Sequence, residues 1–167
     1  MKIFEINAKN LSWIDGEDDN TGDLCLHGDA VAKIGNEVFE YSATVSAAAL
    51  YLLKSLTEDH IIYEDNQMLP CCGHFMIPNE DLTNVVIAGC PNGIDWSVIH
   101  EGDKVRLITE SGQETGMSLK DYRQEVYRFA DMIESYYIKC KPKNFSDEYD
   151  RNCYTAFWNE WHRRRDS

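Results

Sequence analysis

Ser118–Tyr137 reads SLKDYRQEVYRFADMIESYY. Leu119, Tyr122, Val126, Phe129, Ile133 and Tyr136 recur at alternating steps of three and four, which sets them on one face of an α-helix. Ser118 and Asp121 make a capping-box-like start, with Asp in place of the usual Glu or Gln. Pro142 cannot continue a helix, so the element is expected to stop near Cys140. A helix with one long apolar stripe must lie against an apolar layer, and the flanking sequence supplies one.

Upstream, Trp96–His100, Lys104–Glu110 and Gln113–Met117 read as a three-strand meander, with turns at Glu101-Gly102-Asp103 and Ser111-Gly112. Downstream, a helix is expected over residues 147–164. Tyr149, Cys153, Phe157 and Trp161 are spaced by four there, with Tyr154 and Trp158 adjoining. Asp147 and Glu148 at its start and Arg163–Arg165 at its end suit the helix dipole, and the arginines read as a solvated terminus.

Farther upstream, Lys2–Ala8 alternates as an opening strand, and Asp23–His27 and Ala30–Ile34 are strand-like. Gly35-Asn36 turns the chain into a partner strand, Glu37–Ser42, because both residue types tolerate positive φ. Thr44 or Ser46 caps a helix over Ala47–Leu56. Gln67–Pro78 shows no clear period. Thr83–Ala88, short and β-branched, reads as a buried strand broken by Cys90-Pro91-Asn92-Gly93. This order predicts one α+β domain over residues 1–167, a largely antiparallel sheet packed by about three helices, two of them C-terminal.

A chain of 167 residues with 43% hydrophobic and 27% charged residues has ordinary globular composition and needs no staple. The start, MKIFEINAKNLSW, lacks the apolar run of a signal peptide, and Ala43–Leu53 is about half a membrane span. A cytoplasmic, bacterial-type protein is the expectation, with Cys25, Cys71, Cys72, Cys90, Cys140 and Cys153 as free thiols.

Net charge is −13 and uneven: residues 1–100 carry 16 Asp/Glu against 4 Lys/Arg, residues 101–167 carry 13 against 12. Such a field repels nucleic acid and anionic lipid and attracts basic surfaces. The loop Asp15–Asp23, DGEDDNTGD, concentrates it in Asp15, Glu17, Asp18, Asp19 and Asp23. It lacks the terminal glutamate and following helix of an EF-hand, so a solvated acidic loop is the expectation.

Cys71, Cys72, His74 and Cys90 are the residue types zinc prefers. Their spacing has no C-x-x-C, and neighbouring side chains diverge on an extended strand, so buried thiols compete with the zinc reading. Cys72 with His74 or His100 is a weaker candidate for a thiol nucleophile and its base. Neither a phosphate-binding glycine loop nor a G-x-S-x-G or H-E-x-x-H motif is present.

Three functions compete. The first is an acidic module that binds a basic protein, one form being an immunity- or antitoxin-type inhibitor that masks a nuclease toxin. Asp15, Glu17, Asp18, Asp19 and Asp23 would do the binding, aided by Trp158 and Trp161. The second is a small enzyme or zinc protein built on Cys71, Cys72, His74 and Cys90. The third is an assembly subunit or homo-oligomer joined through the aromatic C-terminal helix.

Overall fold

The computed structural model describes residues 2–16, 19–64 and 66–167. Its elements run β1 (Phe4–Ser12), β2 (His27–Ile34), β3 (Glu37–Thr44), α1 (Val45–Lys54), β4 (Leu69–Pro70), β5 (Phe75–Pro78), β6 (Val85–Ala88), β7 (Gly93–Ile94), β8 (Trp96–Glu101), β9 (Lys104–Thr109), β10 (Glu114–Ser118), α2 (Leu119–Lys139) and α3 (Glu148–Arg165). Three helices, two of them C-terminal, pack on antiparallel ladders, as the sequence predicts. The strands divide among four ladders rather than one sheet: β1-β2-β3, β10-β9-β8, β4-β7 and β5-β6.

The two larger sheets follow from alternation. Along β2 every second residue, Gly28, Ala30, Ala32 and Ile34, is buried, and Phe4 and Ile6 of β1 share that core. Gly35 turns β2 into β3 at φ 60°, as a hairpin turn requires. On the second sheet Trp96, Val98, Val105 and Leu107 point inward. Asp23–His27 lies mostly outside any strand: the Asp23 carboxylate caps the local backbone, accepting from the N–H groups of Ile14 at 2.7 Å and Cys25 at 3.2 Å.

Helix α1 is buried on nearly every side, with only Tyr51 and Lys54 reaching toward the surface. Ala47, Ala48 and Ala49 let α2, α3 and three strands approach it closely. Helix α2 presents Tyr122, Val126, Phe129 and Ile133 to the core, and Ser118 Oγ accepts from the Asp121 N–H at 3.0 Å. Helix α3 starts at Asp147, whose side chain accepts from the Asp150 N–H at 2.8 Å. No helix among the described residues is long and apolar enough to cross a membrane.

The C-terminal arginines are structural, not simply a solvated end. Arg163 donates to Thr83 O at 2.6 Å and to Asn84 Oδ1, Arg164 pairs with Glu160 and Glu58, and Arg165 pairs with Asp131. The terminus is tied down because its planar donors find carbonyls and carboxylates on three other segments.

Candidate functional site: a hairpin and its cysteine base

Strands β5 and β6 form a hairpin closed by residues 79–84. In that turn Asn79 Oδ1 accepts from the N–H groups of Thr83 at 2.8 Å and Asn84 at 2.9 Å. Phe75 pairs with Ala88 and Ile77 with Val86. Alternation places Met76 and Ile87 inward, where both are buried near α3. It places Phe75, Ile77 and Val86 outward, where they stay 63%, 44% and 61% exposed. Thr83–Ala88 is therefore not the buried strand expected from its composition: of β6 only Ile87 is buried.

Helix α3 holds the hairpin by polar contacts. The buried Glu160 accepts from Val85 N–H at 2.9 Å, Asn159 donates to Leu82 O at 2.8 Å, and the Tyr149 hydroxyl donates to Met76 O at 3.0 Å. The outer apolar face is thus fixed by contacts to the inner one. Contiguous exposed apolar side chains on a fixed scaffold mark an interaction surface more than scattered single ones do.

The hairpin grows from a cysteine-rich base. Residues 71–74 connect β4 to β5, and residues 89–92 connect β6 to β7. Because β4 pairs with β7 and β5 with β6, the two connections run side by side. Cys71 N–H donates to Asn92 O at 3.2 Å, and a Cβ on Gly89 would stand 2.3 Å from Cys72 O, so only glycine allows this approach.

Cys71 and Cys90 are joined in a disulfide, which overturns the expectation of six free thiols. The expectation rested on compartment, whereas the strand pairing brings these two connections together. Cys72 Sγ lies 3.8 Å from Cys71 Sγ and 3.2 Å from Cys90 Sγ. The chain bends at Cys71, so its side chain and that of Cys72 converge instead of diverging as on a straight strand.

His74 stands apart from the sulfurs. Its Nδ1 accepts from Gly73 N–H at 3.3 Å, and its ring meets His27 edge-on with centroids 5.0 Å apart. Partial burial, with His27 adding to it, holds the His74 imidazole below its ordinary pKa. Of the four zinc candidates, Cys71, Cys72 and Cys90 come together, two of them spent on each other, while His74 joins a histidine pair. His100 is pinned elsewhere, its Nε2 2.8 Å from Ser55 O, so the Cys72–His100 pairing is not assembled.

The described carboxylates of the acidic loop, Asp15, Asp19 and Asp23, are each engaged by other residues of the chain. Glu17 and Asp18 lie outside the described residues. Asp15 Oδ2 accepts from Asn20 at 3.0 Å, and Asp19 accepts from Lys141 N–H at 2.9 Å. His27 Nε2 stands 3.3 Å from Asp23, off-line for a hydrogen bond but close enough for an ion pair. Burial pushes the Asp23 carboxyl up, but His27 and the Cys25 and Ile14 N–H groups outweigh it and hold it below the usual range. Lys143 lies 3.2 Å over the Trp13 ring centre and donates to Asn20 O at 2.7 Å, so the α2–α3 connection clamps the loop. Composition hid this clamp because Lys143 and Trp13 are 130 residues apart in the chain.

Trp161 is fully buried against Phe157 and Trp158, and Trp158 is half-buried with its ring on Tyr137. Phe157 and Trp161 wedge the helix into the core, while Tyr149 at its start stays 49% exposed. Both Cys25 and Cys153 are buried; burial pushes the Cys25 thiol up to about 12, Asp23 adding to the shift, and burial likewise raises Cys153.

Polar groups also meet at a cleft and at a buried pair among the described residues. A cleft of 520 Å³ between β1 and α2 holds Glu125, whose carboxylate is already taken by Ile6 N–H, Arg128 and Lys2. His60 and Asp95 form a buried pair at 2.8 Å, but Asp95 also accepts from Met68 N–H and Ser97 Oγ from Ile62 N–H, so both are engaged in holding the connections to β4. Comparison with protein-family models, curated proteins and solved structures finds no match.

Proposed function

We propose that this chain is a protein-binding module that docks a basic protein against the outer face of the β5–β6 hairpin. The observation that carries this reading is the cross-strand trio Phe75, Ile77 and Val86, apolar and solvent-facing on a hairpin anchored by α3. Burying these side chains against a partner supplies affinity at roughly 25 cal/mol per Å² of apolar surface, less the cost of association.

Charge supplies the choice of partner. Glu80 and Asp81 are exposed on the hairpin turn, and the chain carries −13 overall. A cationic protein is drawn toward that field and like-charged partners are rejected. Asp15, Asp19 and Asp23 are engaged in hydrogen bonds within the chain, which favours the hairpin as the contact region. The inhibitor form of this reading, in which the chain masks a basic nuclease, is supported by net charge alone.

The test uses the full chain as bait beside an Ile77→Glu/Val86→Glu double variant whose melting temperature matches wild type. A basic protein retained by wild type, lost by the double variant and weakened by high salt supports the reading. Equal retention by both forms overturns it.

A further inference from the structure

The geometry points to a second, independent site at the hairpin base: once the Cys71–Cys90 disulfide is reduced, Cys71, Cys72 and Cys90 form a three-thiolate site for zinc. The fold converges three sulfurs from two connections, and each pair lies within 4.8 Å. Four ligands at roughly 2.3 Å around a tetrahedral ion stand about 3.8 Å apart. Cys71 and Cys72 already have that separation, 3.8 Å, and Cys72 and Cys90 are at 3.2 Å.

A second observation shows that the Cys72 sulfur is prepared as a ligand. Cys90 N–H donates to Cys72 Sγ at 3.0 Å. This backbone donor fixes where the sulfur sits, as outer-shell hydrogen bonds orient ligands at metal centres. The approach that makes this bond depends on Gly89, since any side chain there would strike Cys72 O. All three cysteines are half-buried, so a cation can reach them and a fourth position stays open to water. His74 is not part of the set, which distinguishes this site from the four-ligand reading of the sequence.

The chemistry balances with one external reagent, a dithiol. It passes two electrons and two protons to the protein: its own sulfurs pair, the Cys71–Cys90 bond breaks, and each released sulfur takes one proton. Zinc then binds the three sulfurs, and three protons leave to solvent. Disulfide and zinc are alternative occupants of one place, so the redox state decides whether metal binds.

The experiment takes the full chain in two forms, as oxidised protein and after reduction by dithiothreitol that is then removed without oxygen. Each is titrated with Zn²⁺ against a chromogenic chelator and with Co²⁺ as an optical probe. The reduced form is expected to take up one ion with a sulfur-to-cobalt charge-transfer band, and the oxidised form none. Cys72→Ser is expected to weaken binding by more than the roughly 10–100-fold that losing an outer-shell partner costs, while Cys25→Ser leaves it unchanged. Alkylation mapped by mass spectrometry removes any dependence on variants: zinc should protect Cys71, Cys72 and Cys90 in reduced wild-type protein, and chelation should expose them. Absence of a charge-transfer band in the reduced form, or equal alkylation with and without zinc, overturns the site.

Discussion

Ile77 and Val86 face each other across β5 and β6, and both side chains point away from the core. Their neighbours Met76 and Ile87 point the other way and are buried. The apolar residues of the hairpin are thus divided between the interior and solvent. The inner half packs near α3, and the outer half faces solvent.

Glu160 is the main polar anchor of that arrangement. Its carboxylate serves Val85 N–H and Arg164 from a buried position. Glu160→Ala should cost about 1–3 kcal/mol, the usual result of stranding a buried donor. Thermal melting should fall by several degrees and amide exchange at Val85 should accelerate selectively. Uniform acceleration across the chain would show that Glu160 supports the whole fold instead of the hairpin.

Lys143 should prove to be a clamp. Lys143→Ala removes a cation from the Trp13 face and a donor from Asn20 O. A loss of about 1–2 kcal/mol is expected, together with faster proteolysis between residues 15 and 23. Unchanged cleavage there would contradict the clamp.

Asp23 gives the acid side of the stability profile. Its folded carboxyl is held below the ordinary range, so its contribution is fully present above the unfolded value and is lost as pH falls through the folded one. Asp23→Asn should therefore melt lower than wild type at pH 7, and the gap should narrow between about pH 5 and pH 2. A gap that stays constant with pH would mean that hydrogen bonding alone, without charge, carries the effect.

Trp161→Ala should damage folding and leave association alone. The ring is fully buried, and such truncations cost about 3–5 kcal/mol. Melting should drop sharply while the mass by light scattering stays that of wild type. A wild-type dimer that this change converts to monomer would restore the aromatic helix as an interface.

Helix α2, the β8–β10 meander and the α3 start were legible because each rests on local chemistry: a stripe of period 3.6, turn residues between strands, and an Asp cap. The split into four ladders was not, since β4 and β7 are two residues each and exist only through their mutual pairing. Of Cys71, Cys72, His74 and Cys90, the three cysteines come together in space and His74 does not join them. The disulfide needed the side-by-side connections, which no spacing of Cys71 and Cys90 reveals. Thr83–Ala88 was misread as buried because Val85–Ile87 is apolar at every position, a pattern that normally means burial on both sides. The one available signal was Asn79-Glu80-Asp81, a polar turn between two runs too short for a covered sheet.

The most direct measurement is site-specific photocrosslinking in cells, with a photoreactive residue at Val86 on the hairpin and, separately, at Glu110 on the β9–β10 turn. The prediction is one basic partner crosslinked from position 86 and absent from position 110, with the position-86 product lost when Ile77→Glu is added. The same products from both positions, a second copy of this chain as the position-86 product, or persistence in the Ile77→Glu background would contradict docking of a basic protein on the hairpin.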